Sequence, residues 1–248
     1  MSLWRLEWLR LVRTHRLLAL GAVYVFFGIV GPFTARYLGE IVDRFGGEVE
    51  VVFPDPVPPD GIAQYVSNVS QVGILVAVAV AAGALTLDAL PEMSIFLRTR
   101  VRSAAGILMP RVAVTVGAVS GAYLLGAATA WYETQVLLGS LSVGGMLAGI
   151  GYAVVYLAFA VALVAAVGSR LRSVVGTVGI SIVVLLVLPV IGIAESIGRW
   201  LPSHLVGAQI DLVRDASIAD YAGAALVTVA ATAALLTLAV RGTAARES

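Results

Sequence analysis

The stretch Met146-Leu-Ala-Gly-Ile-Gly-Tyr-Ala-Val-Val-Tyr-Leu-Ala-Phe-Ala-Val-Ala-Leu-Val-Ala-Ala-Val167 decides the fold of this chain. It runs 22 residues without a charge. At a helical rise of about 1.5 Å per residue, that length crosses the roughly 30 Å hydrocarbon core of a bilayer. Lipid offers no hydrogen bonds, so every backbone N–H and C=O must be paired within the segment, and an uncharged run of this length reads as a spanning α-helix. Five further runs lie outward from it: 17–35, 72–87, 112–131, 174–194 and 221–240. The whole chain, 1–248, is therefore expected to be one all-α integral membrane domain with six transmembrane helices. Composition agrees, with 60% apolar and 12% charged residues; a soluble domain averages roughly 45–50% and 25%. In water the excess would form exposed apolar patches of a size that monomeric soluble proteins rarely carry.

The segments between the runs differ in character. Residues 1–16 place Trp4, Trp8 and Leu11 on one helical stripe with Arg10 and Arg13 pointing away, the pattern of an amphipathic helix lying in the membrane interface. A plain cytoplasmic extension of the first span fits the same residues. The first run ends at Gly31, Pro32 and Arg36, and residues 36–71 carry six acids and the prolines Pro54, Pro56, Pro58 and Pro59, so they read as an extramembrane loop. Within it, Asp60 is placed to cap a short helix through Ile62, Tyr65 and Val69. Residues 88–111 form the most basic loop, and 195–220 a second polar segment. Pro189 is expected to kink the fifth span.

Orientation follows from the arginines, because basic residues near spans stay on the cytoplasmic side. The chain has no lysine. Arg5, Arg10, Arg13, Arg16, Arg98, Arg100, Arg102, Arg111, Arg170, Arg172, Arg241 and Arg246 fall on one face; Arg36, Arg44, Arg199 and Arg214 fall on the other. Both termini are then cytoplasmic, and 36–71 and 195–220 are extracellular.

Several chemistries are disfavoured. Without lysine there is no Gly-x-x-x-x-Gly-Lys phosphate loop, so no ATP or Mg site is expected in this chain. The two histidines, His15 and His204, fall on opposite faces, and there is no cysteine, which argues against a metal site. Ser120 has no histidine within a span to activate it, so no catalytic residue is expected. The net charge of +1 does not point to nucleic acid. No carboxylate falls at the centre of a span, unlike the usual proton-coupled carrier. Tyr152, Tyr156 and Phe159 recur at helical spacing in the fourth span and, with Tyr123 in the third, are candidates to line a path for an amphipathic substrate. Ordinary packing explains the same stripe. Gly117-x-x-x-Gly121 and Gly145-x-x-x-Gly149 permit close helix approach, within one subunit in the simplest reading.

The run Asp88-Ala-Leu-Pro-Glu92, then Phe96-Leu-Arg-Thr-Arg-Val-Arg102 and Pro110-Arg111, is similar to the loop between spans two and three of bacterial type-2 ABC exporter permeases. Arg100 stands where that family's motif has proline. Six spans, an amphipathic N-terminal helix and the Trp200-Leu-Pro202 segment before the last span extend the resemblance over most of the chain. The resemblance implies a permease of the bacterial plasma membrane that exports an amphipathic small molecule, drug or lipid. It also implies partners: two separate ATPase subunits that bind ATP and Mg, a second permease copy or paralogue, and membrane lipids. Asp88, Glu92, Arg98, Arg100, Arg102 and Arg111 would form the surface coupled to the ATPase. A structural or regulatory membrane subunit without transport, or a transporter of another class, stands as the alternative.

Overall fold

The computed structural model describes residues 3–45, 55–86, 103–171 and 173–245, and among these there is no β-strand. The elements are α1 (Leu3–Arg13), α2 (Arg16–Phe45), α3 (Pro58–Asn68), a π-helical turn (Val69–Gly73), α4 (Ile74–Leu85), α5 (Ala104–Leu137), α6 (Val143–Gly168), α7 (Val174–Ile191), α8 (Glu195–Gly198), α9 (His204–Val213), a 3-10 turn (Ile218–Tyr221) and α10 (Ala222–Ala244). Six helical segments are long and apolar enough to cross a membrane: Arg16–Val42, Pro58–Leu85, Ala104–Leu137, Val143–Gly168, Val174–Ile191 and Ile218–Ala244. The number of spans expected from sequence and the helical class agree with this architecture.

Span boundaries depart from the sequence reading, each for a local reason. The first span, α2, does not stop near Ala35. It continues through Pro32 to Phe45, because the bond proline removes is offset by packing: Gly31 lies flush against the backbone of Tyr65 on α3, where a Cβ would come within 2.8 Å. The second span starts at Pro58 rather than Val72. Pro58 and Pro59 occupy the first turn, where N–H groups have no partner anyway. The Asp60 carboxylate accepts the Val57 N–H at 3.0 Å. Ile62, Tyr65, Val66 and Val69 then bury themselves against the bundle. Much of the expected 36–71 loop is thus helix. The third helix begins at Ala104, so the final part of the expected 88–111 loop, including Pro110 and Arg111, is helical too. Residues 195–220 fold into α8, α9 and the 3-10 turn.

Three spans open on the same device. Ser103, Ser142 and Ser173 are N-caps of α5, α6 and α7, and their hydroxyls accept the N–H of Gly106, Gly145 and Gly176 at 3.1, 3.2 and 3.2 Å. Each cap satisfies a donor that the first turn leaves unpaired.

Helix α6 is the hub, packing on α4, α5, α7, α9 and α10. The crossing of α2 with α5 is glycine-to-glycine: a Cβ on Gly28 would reach the Gly126 carbonyl, and one on Gly126 would reach the Tyr24 carbonyl. Gly145 and Gly149 of α6 lie beneath the Leu212 carbonyl and Gln209 of α9. The Gly145 pair therefore does serve packing within the chain. Gly117 and Gly121 do not, since nothing lies within 4 Å of either position's missing Cβ.

Polar contacts tie the bundle at both ends. At one end, Glu7 meets Arg111, Arg16 lies on Gly83, Thr86 bonds Thr177 at 3.3 Å, and Ser169 packs on Gly242. At the other, Asp60 pairs with Arg214 at 3.0 Å and Tyr152 bonds the Ile218 carbonyl at 2.8 Å. Between the ends, α7 and α10 expose Val175, Val183, Val190, Leu226 and Val229, an outer face suited to lipid rather than water.

Candidate functional site

A cavity of about 590 Å³ lies between α4, α6, α7 and α9, within the roughly 300–1,000 Å³ range of small-molecule sites. Its lining is sorted by height. Ser70, Gln71 and Ser203 stand toward the end that carries Asp60 and Arg214, whereas Ile74, Val78, Ile182 and Leu185 line the deeper part. Ser70 and Val78 are eight residues apart on nearly continuous helix, or about 12 Å. Among the described residues, no Asp, Glu, Arg or His lines this cavity. At its polar end it shares Pro189 and Ser203 with an outer recess of about 390 Å³, and that recess carries Arg199 and His204.

The polar end is built by the π-helical turn. An extra residue in the turn breaks the ordinary side-chain register between α3 and α4 and brings Ser70 and Gln71 to the wall. Gly73 closes the turn against the Tyr24 ring, where a Cβ would lie 3.2 Å away. The Ser70 hydroxyl donates to the Val66 carbonyl, and the Gln71 amide donates to Ser67 Oγ at 3.3 Å.

Tyr156 separates this cavity from a smaller one of about 30 Å³, lined also by Tyr24, Val66 and Tyr123. Behind it runs a buried polar chain. Tyr65 donates its hydroxyl proton to the Tyr123 carbonyl at 3.2 Å, Tyr123 donates to Gln209 Oε1, and the Gln209 amide points at Met146 Sδ at 3.3 Å. These contacts pin α9 onto α3, α5 and α6. Of the four residues expected along a substrate path, Tyr156 and Tyr123 reach cavity walls. The other two do not. Tyr152 is bonded to the Ile218 carbonyl at the end that carries Asp60 and Arg214, and Phe159 is buried with its ring 6.4 Å from Tyr156. Residues 152, 156 and 159 share a helical face but span about 10 Å of height, so each meets different neighbours.

Asp88, Glu92, Arg98, Arg100 and Arg102 lie outside the described residues. Arg111 is described, and it is not an exposed cation at the start of a span. It is 4% exposed, with Nε 2.8 Å from Glu7 Oε1 and Nη1 3.5 Å from the Ala84 carbonyl. Arg10 lies 3.8 Å from the other Glu7 oxygen. Glu7 and Leu11, one turn apart on α1, form the buried face of that helix. The expected Trp4–Trp8–Leu11 stripe is divided: Leu11 is buried while the two tryptophans stay half exposed.

Glu7, Gln209 and the pair Ser70 and Gln71 are the functional candidates that sequence reasoning passed over. A carboxylate flanked by the apolar positions of an amphipathic helix was the available signal for Glu7. No family model, curated protein or solved structure matches this chain.

Proposed function

We propose that this chain is the membrane subunit of an exporter that binds an amphipathic small molecule in the 590 Å³ cavity and draws its energy from a separate ATPase. The observation that carries the reading is the sorted lining: a polar rim of Ser70, Gln71 and Ser203 above an apolar floor of Ile74, Val78, Ile182 and Leu185. An amphiphile fits such a site with its polar group at the rim and its apolar part toward the bilayer midplane. The absence of charged side chains from the lining among the described residues favours an uncharged polar group, since an ion would lose its hydration without gaining a partner. The same absence leaves no carboxylate at the cavity to carry a coupling proton, which supports energy input from outside the chain.

In this reading both termini are cytoplasmic, as the arginine distribution requires, and α1 lies at the inner interface. Asp88, Glu92, Arg98, Arg100 and Arg102 face the ATPase, which binds ATP and Mg. Arg111 fastens α1 to the first turns of α5 through Glu7. Two ATPase subunits and a second permease copy complete the assembly.

The test uses inside-out vesicles containing the chain together with its ATPase, and a fluorescent uncharged amphiphile. Uptake should require ATP and should fall to background in Val206→Trp, whose indole would occupy the cavity. Uptake that proceeds without ATP, or that Val206→Trp leaves intact, refutes the proposal.

A further inference from the structure

We infer that Arg10, Arg16 and Arg111 form a binding site for a phosphate ester at the end of the bundle where α1 docks, filled by the headgroup of an anionic phospholipid. The three arginines line one small cavity between α1, α2, α4 and α5, together with Thr14, Thr115 and, among the described residues, a single carboxylate, Glu7. Three cations thus face one anion. That anion is ion-paired with Arg111 at 2.8 Å and with Arg10 at 3.8 Å, although its Oε1 accepts no hydrogen bond among the described residues.

Two of the cations keep unused donors. Nη2 of Arg111 is fully buried and has no hydrogen-bond partner among the described residues, a costly state for a charged donor unless an acceptor arrives. Arg16 forms no ion pair among the described residues. Its guanidinium lies against Gly83 of α4, so closely that a Cβ there would sit 3.0 Å from a guanidinium nitrogen. Glycine at that position makes room for the planar group. Planar guanidinium groups grip phosphate oxygens through paired N–H bonds, which a lysine ammonium cannot do.

The enclosed space is about 10 Å³, enough for one water-sized atom. One phosphate oxygen can therefore enter toward Arg111, while the phosphorus stays at the mouth between the half-buried Arg10 and Arg16. The neighbouring surface favours a lipid as the source. Trp4 and Trp8 on α1 are 53% and 48% exposed, and amphipathic indole rings settle at the depth of lipid headgroups. The site does not depend on the transport reading.

The experiment measures the thermal unfolding midpoint of the purified full chain in a neutral detergent, with three additives tested separately: phosphatidylglycerol, a diacylglycerol without phosphate, and inorganic phosphate. Phosphatidylglycerol should raise the midpoint saturably, and the diacylglycerol should not. Arg16→Gln should lose most of the rise, while Arg13→Gln, which removes an equal charge from the exposed side of α1, should keep it. If Arg16→Gln does not fold, Arg16→Lys serves: it retains the charge but not the planar fork, and the rise should shrink. Equal losses in the Arg13 and Arg16 variants, or no rise with phosphatidylglycerol, overturn the inference. An equal rise with inorganic phosphate overturns the lipid as occupant.

Discussion

Replacing Arg111 by methionine should release α1 from the bundle without unfolding the spans. The pair it breaks is buried on both sides, with side-chain exposures of 4% and 5%. Removing one partner of such a pair costs about 3–5 kcal/mol; here the half-buried Arg10, 3.8 Å from the other Glu7 oxygen, offsets only part of that. Few other groups hold α1 in place. Leu11 is its one other buried side chain among those described, and burying a leucine contributes only about 1.5–3 kcal/mol. Leaving Glu7 dry thus costs at least as much as the leucine contact supplies. The cheaper response is for α1 to swing into water and hydrate the carboxylate, which caps the global loss and turns it into a local opening. Hydrogen exchange by mass spectrometry on detergent-solubilised protein reads this directly. Amides of residues 3–13 should lose protection in Arg111→Met, while those of α2 and α5 keep theirs. The double variant Glu7→Met, Arg111→Met should recover protection at α1, since an apolar pair of similar volume replaces a buried ion pair at little or no cost. Unchanged exchange in the single variant, or a double variant as exposed as the single, would refute the clamp.

Gly149→Leu should disrupt the packing of α9 on α6. A Cβ there already falls 2.5 Å from Gln209 Cα, and forcing extra bulk into a tight contact costs about 1–3 kcal/mol or more. Gly117→Leu, with nothing within 4 Å, should stay within about 0.5 kcal/mol of the parent; unfolding in mixed micelles compares the two. Tyr123→Phe leaves Gln209 Oε1 buried without its donor, a loss of about 1–3 kcal/mol by the same assay, with α9 amides exchanging faster. Ser142→Ala removes the N-cap of α6 and should cost about 1 kcal/mol, whereas Ser140→Ala, in the preceding turn, should cost much less.

The six spans were legible because lipid imposes a requirement that composition alone reveals: long uncharged runs are the segments that can pair their own backbones. The ends of the spans were harder to place. Proline and aspartate at 58–60 carry the same residue types whether they stand in a loop or in the first helical turn, and only the burial of Ile62 and Tyr65 against neighbouring helices decides for the turn. Pro32 misleads for the opposite reason. A proline in water usually ends a helix, but α2 packs on α3 and α5 and continues through it to Phe45.

The cavity depends on geometry that no periodicity carries. Tyr156 was reached by reading the fourth span as a stripe, yet the residues that give the cavity its polar rim, Ser70 and Gln71, lay in what read as the edge of a loop. They reach the wall because the turn widens at Val69–Gly73, and the turn is held there by Gly73 against Tyr24, a contact between residues 49 positions apart. The opposite wall, α9, stays docked because Gln209 finds buried partners on α5 and α6. Such a polar chain has few competitors inside a bilayer, where an unpaired amide finds no water to replace its partner. The bonds that fasten α9 are thus the same ones that keep one side of the cavity closed. Loosening them by Tyr123→Phe should accordingly alter access to the cavity as well as stability, and exchange at α9 should rise in step with amphiphile release.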